Sequence, residues 1–251
     1  MGNPVVHFEI GGPDDKPLID FYGQLFGWDL QPFSGGGYTM IDTRGGAGIN
    51  GGIGKSQTGE PWSTFYVGAT DIQALLDKAN SLGGSTVLPV TDFGGSVTVA
   101  MFNDPDGLLV GLVQVPEAAQ GADGPPGPSA GQGEPVDWFE VLGSDPQRTQ
   151  RFYADLFGWQ VSAGQQGDGG YAMVDTGAGS GIQGGLGSGD QAQRWATIYA
   201  SVPDVEQTLA MAEKLGGSRV YGPTAVDDHM QTGALRDPAG NVFGVYHHGE
   251  H

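Results

Sequence analysis

The sequence contains no cysteine. That excludes disulfides, thiolate nucleophiles and thiolate metal sites, and leaves the compartment undecided. Basic residues are scarce: 10 Lys+Arg stand against 29 Asp+Glu, a formal net charge of -19. A surface of that sign repels phosphate backbones and anionic bilayers, so neither nucleic acid nor membrane is expected as a partner; the charge reads as a solubilising surface. No apolar stretch approaches the ~18 residues a membrane span needs, and no apolar leader segment follows Met1. The expectation is a soluble, cytoplasmic protein.

Glycine is what the chain has in excess, 47 of 251 residues, where about 7% is usual. Most sit in short clusters between apolar runs, such as Gly35-Gly36-Gly37, Gly51-Gly52 and Gly184-Gly185. That placement points to tight turns and strand bends rather than a disordered tract. Gly54-Lys55-Ser56 looks like the end of a phosphate-binding loop, but Ile49 stands where the first glycine is required.

The chain is an internal duplication. Phe21-Tyr22-Gly23-Gln24-Leu25-Phe26-Gly27-Trp28 returns as Phe152-Tyr153-Ala154-Asp155-Leu156-Phe157-Gly158-Trp159. YTMIDT at 38–43 returns as YAMVDT at 171–176, INGGIG at 49–54 as IQGGLG at 182–187, and LGGS at 82–85 as LGGS at 215–218. The turn Asp104-Pro105-Asp106-Gly107 returns as Asp237-Pro238-Ala239-Gly240. The offset is 131 up to Trp159 and 133 from Tyr171 onward. Five segments in one order define two domains, 1–115 and 136–251. Between them PEAAQGADGPPGPSAGQGEP (116–135) lacks aromatic and β-branched residues and reads as a flexible linker. Extended, it would reach ~65 Å, enough for the halves to dock as an intramolecular pseudo-dimer.

Hydrophobic periodicity gives each half the order βαβββ twice. Val5–Ile10 alternates as a strand, and Leu18, Ile19, Tyr22, Leu25 and Phe26 follow at helical spacing behind the candidate caps Asp14 and Asp15, with Gly27 ending the helix. Short strands follow near 28–33, 38–42 and 48–53. The order then restarts with a strand at 63–67, a helix from Asp71 to Leu82, and strands near 86–88, 96–102 and 108–115. The second half repeats this with a strand at 138–142 and helices near 147–157 and 205–215. The class is α+β, with about eight strands and two helices per half.

His7 followed by Phe21-Tyr22, the LFGW that ends the first helix, and the closing DP-x-G turn resemble the vicinal-oxygen-chelate superfamily of glyoxalases, bleomycin-resistance proteins and dioxygenases. The resemblance covers both halves and implies paired βαβββ modules curled into two eight-stranded, cup-shaped domains, each with a ligand held inside the cup. It says little about the reaction, which the site must decide.

Metal-dependent members of that superfamily carry ligands on the first and last strands of their modules. By the resemblance, those positions fall here on His7 and Trp138, on Gly111 and Gly244, on Thr64 and Thr197 (or Trp62 and Trp195 in a register shifted by two), and on Asn50 and Gln183. Three His or carboxylate ligands are the usual need, and this set supplies one. No cofactor is therefore expected, although ligands shared between halves leave a divalent metal open. Glu9 and Glu140 are repeat partners two residues beyond His7 and Trp138, so each shares its neighbour's strand face. A carboxylate partly buried there could act as a general base; the alternative is a structural hydrogen bond. His7, Asn50, Trp62, Thr64, Tyr66, Trp138, Gln183, Trp195, Thr197 and Tyr199 are the candidate ligand contacts, matching the aromatic character and few polar groups of small-molecule sites. The expected function is metal-free binding of a small aromatic or apolar metabolite or antibiotic. The alternative is a lyase, isomerase or dioxygenase with a non-standard metal site or Glu9/Glu140 acid–base chemistry.

Overall fold

The computed structural model describes residues 2–33, 36–56, 58–116, 127–163 and 170–249. Of the linker expected over 116–135, residues 117–126 lie outside the described residues. In chain order the first repeat comprises β1 (Val5–Gly12), α1 (Lys16–Phe26), β2 (Asp29–Pro32), β3 (Tyr38–Asp42), β4 (Gly51–Lys55), β5 (Trp62–Ala69), α2 (Ile72–Ser81), β6 (Ser85–Asp92), β7 (Thr98–Asn103) and β8 (Leu109–Gln114). The second comprises β9 (Val136–Gly143), α3 (Pro146–Phe157), β10 (Gln160–Ala163), β11 (Ala172–Asp175), β12 (Gln183–Ser188), β13 (Trp195–Ser201), α4 (Val205–Lys214), β14 (Ser218–Ala225), β15 (Met230–Arg236) and β16 (Val242–His248). This is the expected βαβββ unit, four times over.

Each repeat supplies one eight-stranded sheet. The orders are β2-β3-β4-β1-β5-β8-β7-β6 and β10-β11-β12-β9-β13-β16-β15-β14, so the second repeats the first strand for strand. Within each module the first and last strands pair in parallel: β1 with β4, β5 with β8, β9 with β12 and β13 with β16. A parallel pair needs a crossover, and here the helix and two intervening strands provide it.

The helices end as the sequence implies but do not all begin so. Gly27 and Gly158 close α1 and α3 in the left-handed conformation, at φ 67° and 71°. Asp145, Asp71 and Asp204 cap α3, α2 and α4 by accepting backbone N–H groups of the first turn. Asp15, at the matching place in α1, makes no side-chain cap; its neighbour Asp14 accepts the Lys16 N–H at 3.3 Å instead. Asp15 is already helical (φ -77°, ψ -28°), whereas a capping residue is normally extended so that its side chain can turn back.

Packing divides the chain into two compact units that cut across the repeats. One comprises 1–7, 64–126 and 138–196; the other comprises 8–63, 127–137 and 197–251. In the second of these, Phe243 packs on Tyr22, Phe26 and Trp28, with ring centroids 5.2–5.9 Å apart. The Tyr22 hydroxyl donates to the buried Asp237 at 3.1 Å, and the Asn241 side chain donates to the Gly11 carbonyl. In the first unit Phe102 packs on Phe152 and Phe157, and the Tyr153 hydroxyl donates to the buried Asp104 at 3.1 Å. The helix tyrosine of one repeat thus meets the DP-x-G aspartate of the other, twice. Trp28 and Trp159, both buried, stack on those same tyrosines as structural core. Residues 127–135 also bond to their unit: Gly46 N–H reaches the Ser129 carbonyl, and the Trp28 indole donates to the Glu134 carbonyl at 2.8 Å.

Candidate functional site

Strand alternation decides which side chains meet the helices and which meet the opposite, open face of the sheet. On β1, Phe8 and Ile10 are buried in the core while Glu9 is half-buried on the other side. β9 repeats this with Phe139 and Val141 inward and Trp138 and Glu140 outward.

In the unit that contains Glu9, register places it beside Gly52, and Gly11 beside Gly54. Tyr38 crosses this glycine floor: a Cβ on Gly52 would collide with its hydroxyl and ring. The ring reaches Glu9, and its hydroxyl hydrogen-bonds the carboxylate. Burial, then the charge of Glu9 and that hydrogen bond, push the Tyr38 phenol well above its ordinary value. The Trp62 indole lies over Gly11 and Gly54; a Cβ on Gly11 would strike its ring, and one on Gly54 would sit at 3.1 Å. Its buried Nε1 has no hydrogen-bond partner among the described residues. Carboxylate, phenol and indole therefore form one patch on a floor without side chains.

The other unit carries the counterpart. Glu140 pairs with Gly185, and the ring of Tyr171 lies over Gly185, whose Cβ would again collide with the hydroxyl. Trp138 donates from Nε1 to the Tyr171 hydroxyl at 3.4 Å, and Trp195 donates from Nε1 to Glu140 Oε2 at 2.8 Å. One substitution accounts for the difference between the tryptophans. Leu142 stands where the first repeat has Gly11, and its side chain takes the place over the glycine floor that Trp62 occupies, reaching 3.1 Å from a Cβ on Gly187.

The remaining candidates separate by partner. His7 makes an edge contact with Tyr66, centroids 5.9 Å apart, and Tyr66 lies over Gly111. Tyr199 lies likewise over Gly244. Thr64 and Thr197 are fully buried and donate at 2.7 Å to the Leu109 and Val242 carbonyls, bracing neighbouring strands. Asn50 and Gln183 use their side-chain carbonyls to accept the N–H of Thr43 and Thr176, at 3.0 and 2.9 Å, holding the loops before β4 and β12.

A second set of polar side chains, of which only Tyr199 was a candidate from the sequence, lies on β9 and β13–β16. The Tyr199 and Tyr221 hydroxyls are 3.3 Å apart, Tyr221 and Thr232 Oγ1 are 3.2 Å apart, and Tyr246 donates to Asp137 at 2.9 Å. Burial raises the Asp137 carboxyl against the lowering effect of the Tyr246 bond, and burial followed by the Asp137 charge raises the Tyr246 phenol. The signal was in the repeat itself: Tyr199 matches Tyr66, but the positions matching Asp137, Tyr221, Thr232 and Tyr246 are Val6, Leu88, Val99 and Val113.

Residues 5–112 match the model of the glyoxalase/bleomycin resistance protein/dioxygenase superfamily, and residues 139–246 match that of the glyoxalase-like domain. The chain belongs to the glyoxalase/bleomycin resistance protein/dioxygenase superfamily. Among curated superfamily relatives, CFP32 of Mycobacterium tuberculosis, provisionally named a glyoxylase, is 29% identical over 92% of this chain and 90% of its own. The anthracycline biosynthesis protein DauV of a Streptomyces species is 29% identical over 95% of this chain and 90% of its own. Among solved structures, the Mn(II)-bound glyoxalase of Novosphingobium aromaticivorans superposes with a TM-score of 0.67 at 14% identity, covering 99% of this chain and 83% of that one. The 2,3-dioxygenase LapB of Pseudomonas sp. KL28 gives 0.63 at 15%, covering 100% and 94%. These two likenesses establish the fold.

The superfamily's metal centre does not fit the side chains at the ligand positions. Gly111 and Gly244 have no donor and lie under tyrosines, Thr64 and Thr197 spend their hydroxyls on backbone carbonyls, and the Trp138 indole is a donor only. Among the described residues no three His, Asp or Glu side chains gather closely enough to hold a metal ion. No helix among them is long and apolar enough to cross a membrane.

Proposed function

We propose that this protein binds a small, planar, largely aromatic molecule without a metal ion, using the Glu9–Tyr38–Trp62 patch of the first repeat and the Glu140–Tyr171–Trp195 patch of the second. The observation that carries the reading is the repetition itself: each carboxylate faces a tyrosine laid over glycine, with a tryptophan beside it. Gly52 and Gly185 are needed for the tyrosines to lie flat, and a flat aromatic floor with one carboxylate suits a planar ligand bearing a hydrogen-bond donor. Trp138, which donates to the Tyr171 hydroxyl, extends the aromatic character of the second patch. The Streptomyces relative's name, an anthracycline biosynthesis protein, supports a polycyclic aromatic as the ligand class. Localisation in the cytoplasm and docking of the two halves as a pseudo-dimer belong to this reading.

Equilibrium dialysis of the untagged protein against 1,5-dihydroxynaphthalene, with metal content measured on the same sample, tests it. Saturable binding that persists after chelator treatment is expected, and Trp62→Ala or Trp195→Ala should each weaken its class of site about tenfold, the loss of one good aromatic contact plus its buried area. A stoichiometric metal whose removal abolishes binding would overturn the metal-free reading. Absence of saturable binding would overturn the ligand reading as a whole.

A further inference from the structure

The two repeats share a backbone register but differ in chemistry along one wall. In the second repeat, Thr232 pairs with Tyr246 and Tyr221 with Ala234. In the first, the same pairings join Val99 with Val113 and Leu88 with Met101. Asp137, bonded to Tyr246, answers to Val6. The first repeat therefore shows that β5–β8 form, in this order and register, with aliphatic side chains at all these positions. The sheet does not require the hydroxyls, and cross-strand aliphatic pairs hold it at least as well.

Keeping a carboxylate and three hydroxyls there instead has a cost. Asp137 and Tyr246 are both half-buried, and withdrawing polar groups from water is unfavourable unless they find partners. Tyr199, Tyr221 and Thr232 hand hydrogen bonds along in a chain, and Tyr246 delivers one to Asp137. Hydroxyls can both give and accept, so such a wall can match a ligand hydroxyl or carbonyl without leaving a proton unplaced.

We propose that Asp137, Tyr221, Thr232 and Tyr246, together with Tyr199, form a recognition wall that selects the oxygen-bearing edge of a hydroxylated aromatic ring, whereas the first repeat keeps only Tyr66, the match of Tyr199, and has Val6, Leu88, Val99 and Val113 in place of the others. This rests on the small-molecule reading above and adds the difference between the repeats. The two walls are not duplicates: Asp137, Tyr221, Thr232 and Tyr246 offer a carboxylate and hydroxyls where the first repeat offers aliphatic side chains.

The test compares naphthalene with 1,5-dihydroxynaphthalene by equilibrium dialysis on the full chain. The unaltered protein should show one class of site that prefers the diol about tenfold, the effect of one hydrogen bond to a charged group. Replacing the wall with its first-repeat counterparts, Asp137→Val with Tyr246→Val, should reduce that preference, read as the ratio of the two affinities, to below twofold. Tyr246→Phe, which keeps the ring and loses only the hydroxyl, should lower it about threefold, and melting temperatures report whether each variant is folded. A diol preference unchanged in folded variants overturns the recognition wall while the small-molecule reading stands. Failure of both probes to bind the unaltered protein overturns that reading and the wall with it.

Discussion

Replacing Gly52 with alanine tests the architecture of the first patch most directly. A Cβ at this position would overlap the Tyr38 hydroxyl and the ring carbon that bears it, so the ring must leave the floor. Overpacking of this kind costs about 1–3 kcal/mol. Moving the ring also breaks the hydrogen bond to Glu9, about 1.5–3 kcal/mol for a bond to a charged group. Because Tyr38 is only partly shielded from solvent, water recovers some of that, and the sum is about 2–4 kcal/mol. For a chain of this size that lowers the melting temperature by roughly 5–12 °C. Urea denaturation followed by tryptophan fluorescence would measure it, alongside dialysis with 1,5-dihydroxynaphthalene, which should show the first-repeat class of site lost. The decisive control is the same substitution in a Tyr38→Ala background. Gly52 has no positive φ, so with the ring gone alanine should stabilise the strand by about 0.5–1 kcal/mol through its smaller unfolded-state entropy. If Gly52→Ala costs less than about 0.5 kcal/mol with Tyr38 in place, or costs the same without it, the tyrosine-on-glycine argument is wrong.

Two further predictions concern the contacts inside the compact units. Burial raises the carboxyls of Asp104 and Asp237 above the ordinary value of 3.8 despite the tyrosine and backbone hydrogen bonds that pull the other way. Their contribution is therefore fully present below about pH 4 and is lost as pH rises through the raised values, so stability should increase on acidification from neutrality. Asp42 and Asp106 behave oppositely: burial pushes them up, but hydrogen bonds from Ser129 and Arg44, and from Ser144 and Arg148, hold them lower. Their contribution disappears as pH falls below 3.8, which sets an acid limit to the gain. Melting temperatures from pH 3 to 8 should trace this maximum, and Asp104→Asn with Asp237→Asn should flatten its alkaline side; an unchanged slope would remove these two residues from the account. Phe243→Ala should cost about 3–5 kcal/mol, because Phe243 is fully buried among Tyr22, Phe26 and Trp28. A loss below about 1.5 kcal/mol in urea denaturation would show that those contacts hold little of the unit together.

The duplication, the βαβββ order and the structural role of Trp28 and Trp159 were legible in the sequence because each is a matter of local pattern. Alternation on β1 also placed Glu9 correctly on the face opposite Phe8 and Ile10. What periodicity cannot convey is which element lies against a given side. Gly51-Gly52 reads as a bend, whereas in β4 the two glycines admit Phe8 from one face and Tyr38 from the other. Asn50 and Gln183 read as ligand contacts because they are polar and repeated, yet their carbonyls hold the backbone of Thr43 and Thr176; a loop brace and a ligand contact leave the same mark in one sequence. The hydroxyl wall escaped notice for the opposite reason. Attention to what the halves share passes over Asp137, Tyr221 and Tyr246, whose interest lies in how they differ from Val6, Leu88 and Val113.

The exchange of partners between repeats bears on how such a gene can change. Tyr22 needs Asp237 and Tyr153 needs Asp104, so loss of either copy would remove part of both compact units at once. A duplication folded in this way is not a spare: neither half can be shed, and neither can be traded for a foreign domain without its matching tyrosine and aspartate. Drift has fallen on positions other than these four. Gly11 against Leu142, Val6 against Asp137 and Val113 against Tyr246 are changes of that kind, made on the open faces while FY and DP stayed the same in both copies. Interdependence fixes the tyrosine and the aspartate in both copies while their neighbours change, as Val110 against Phe243 does in the core.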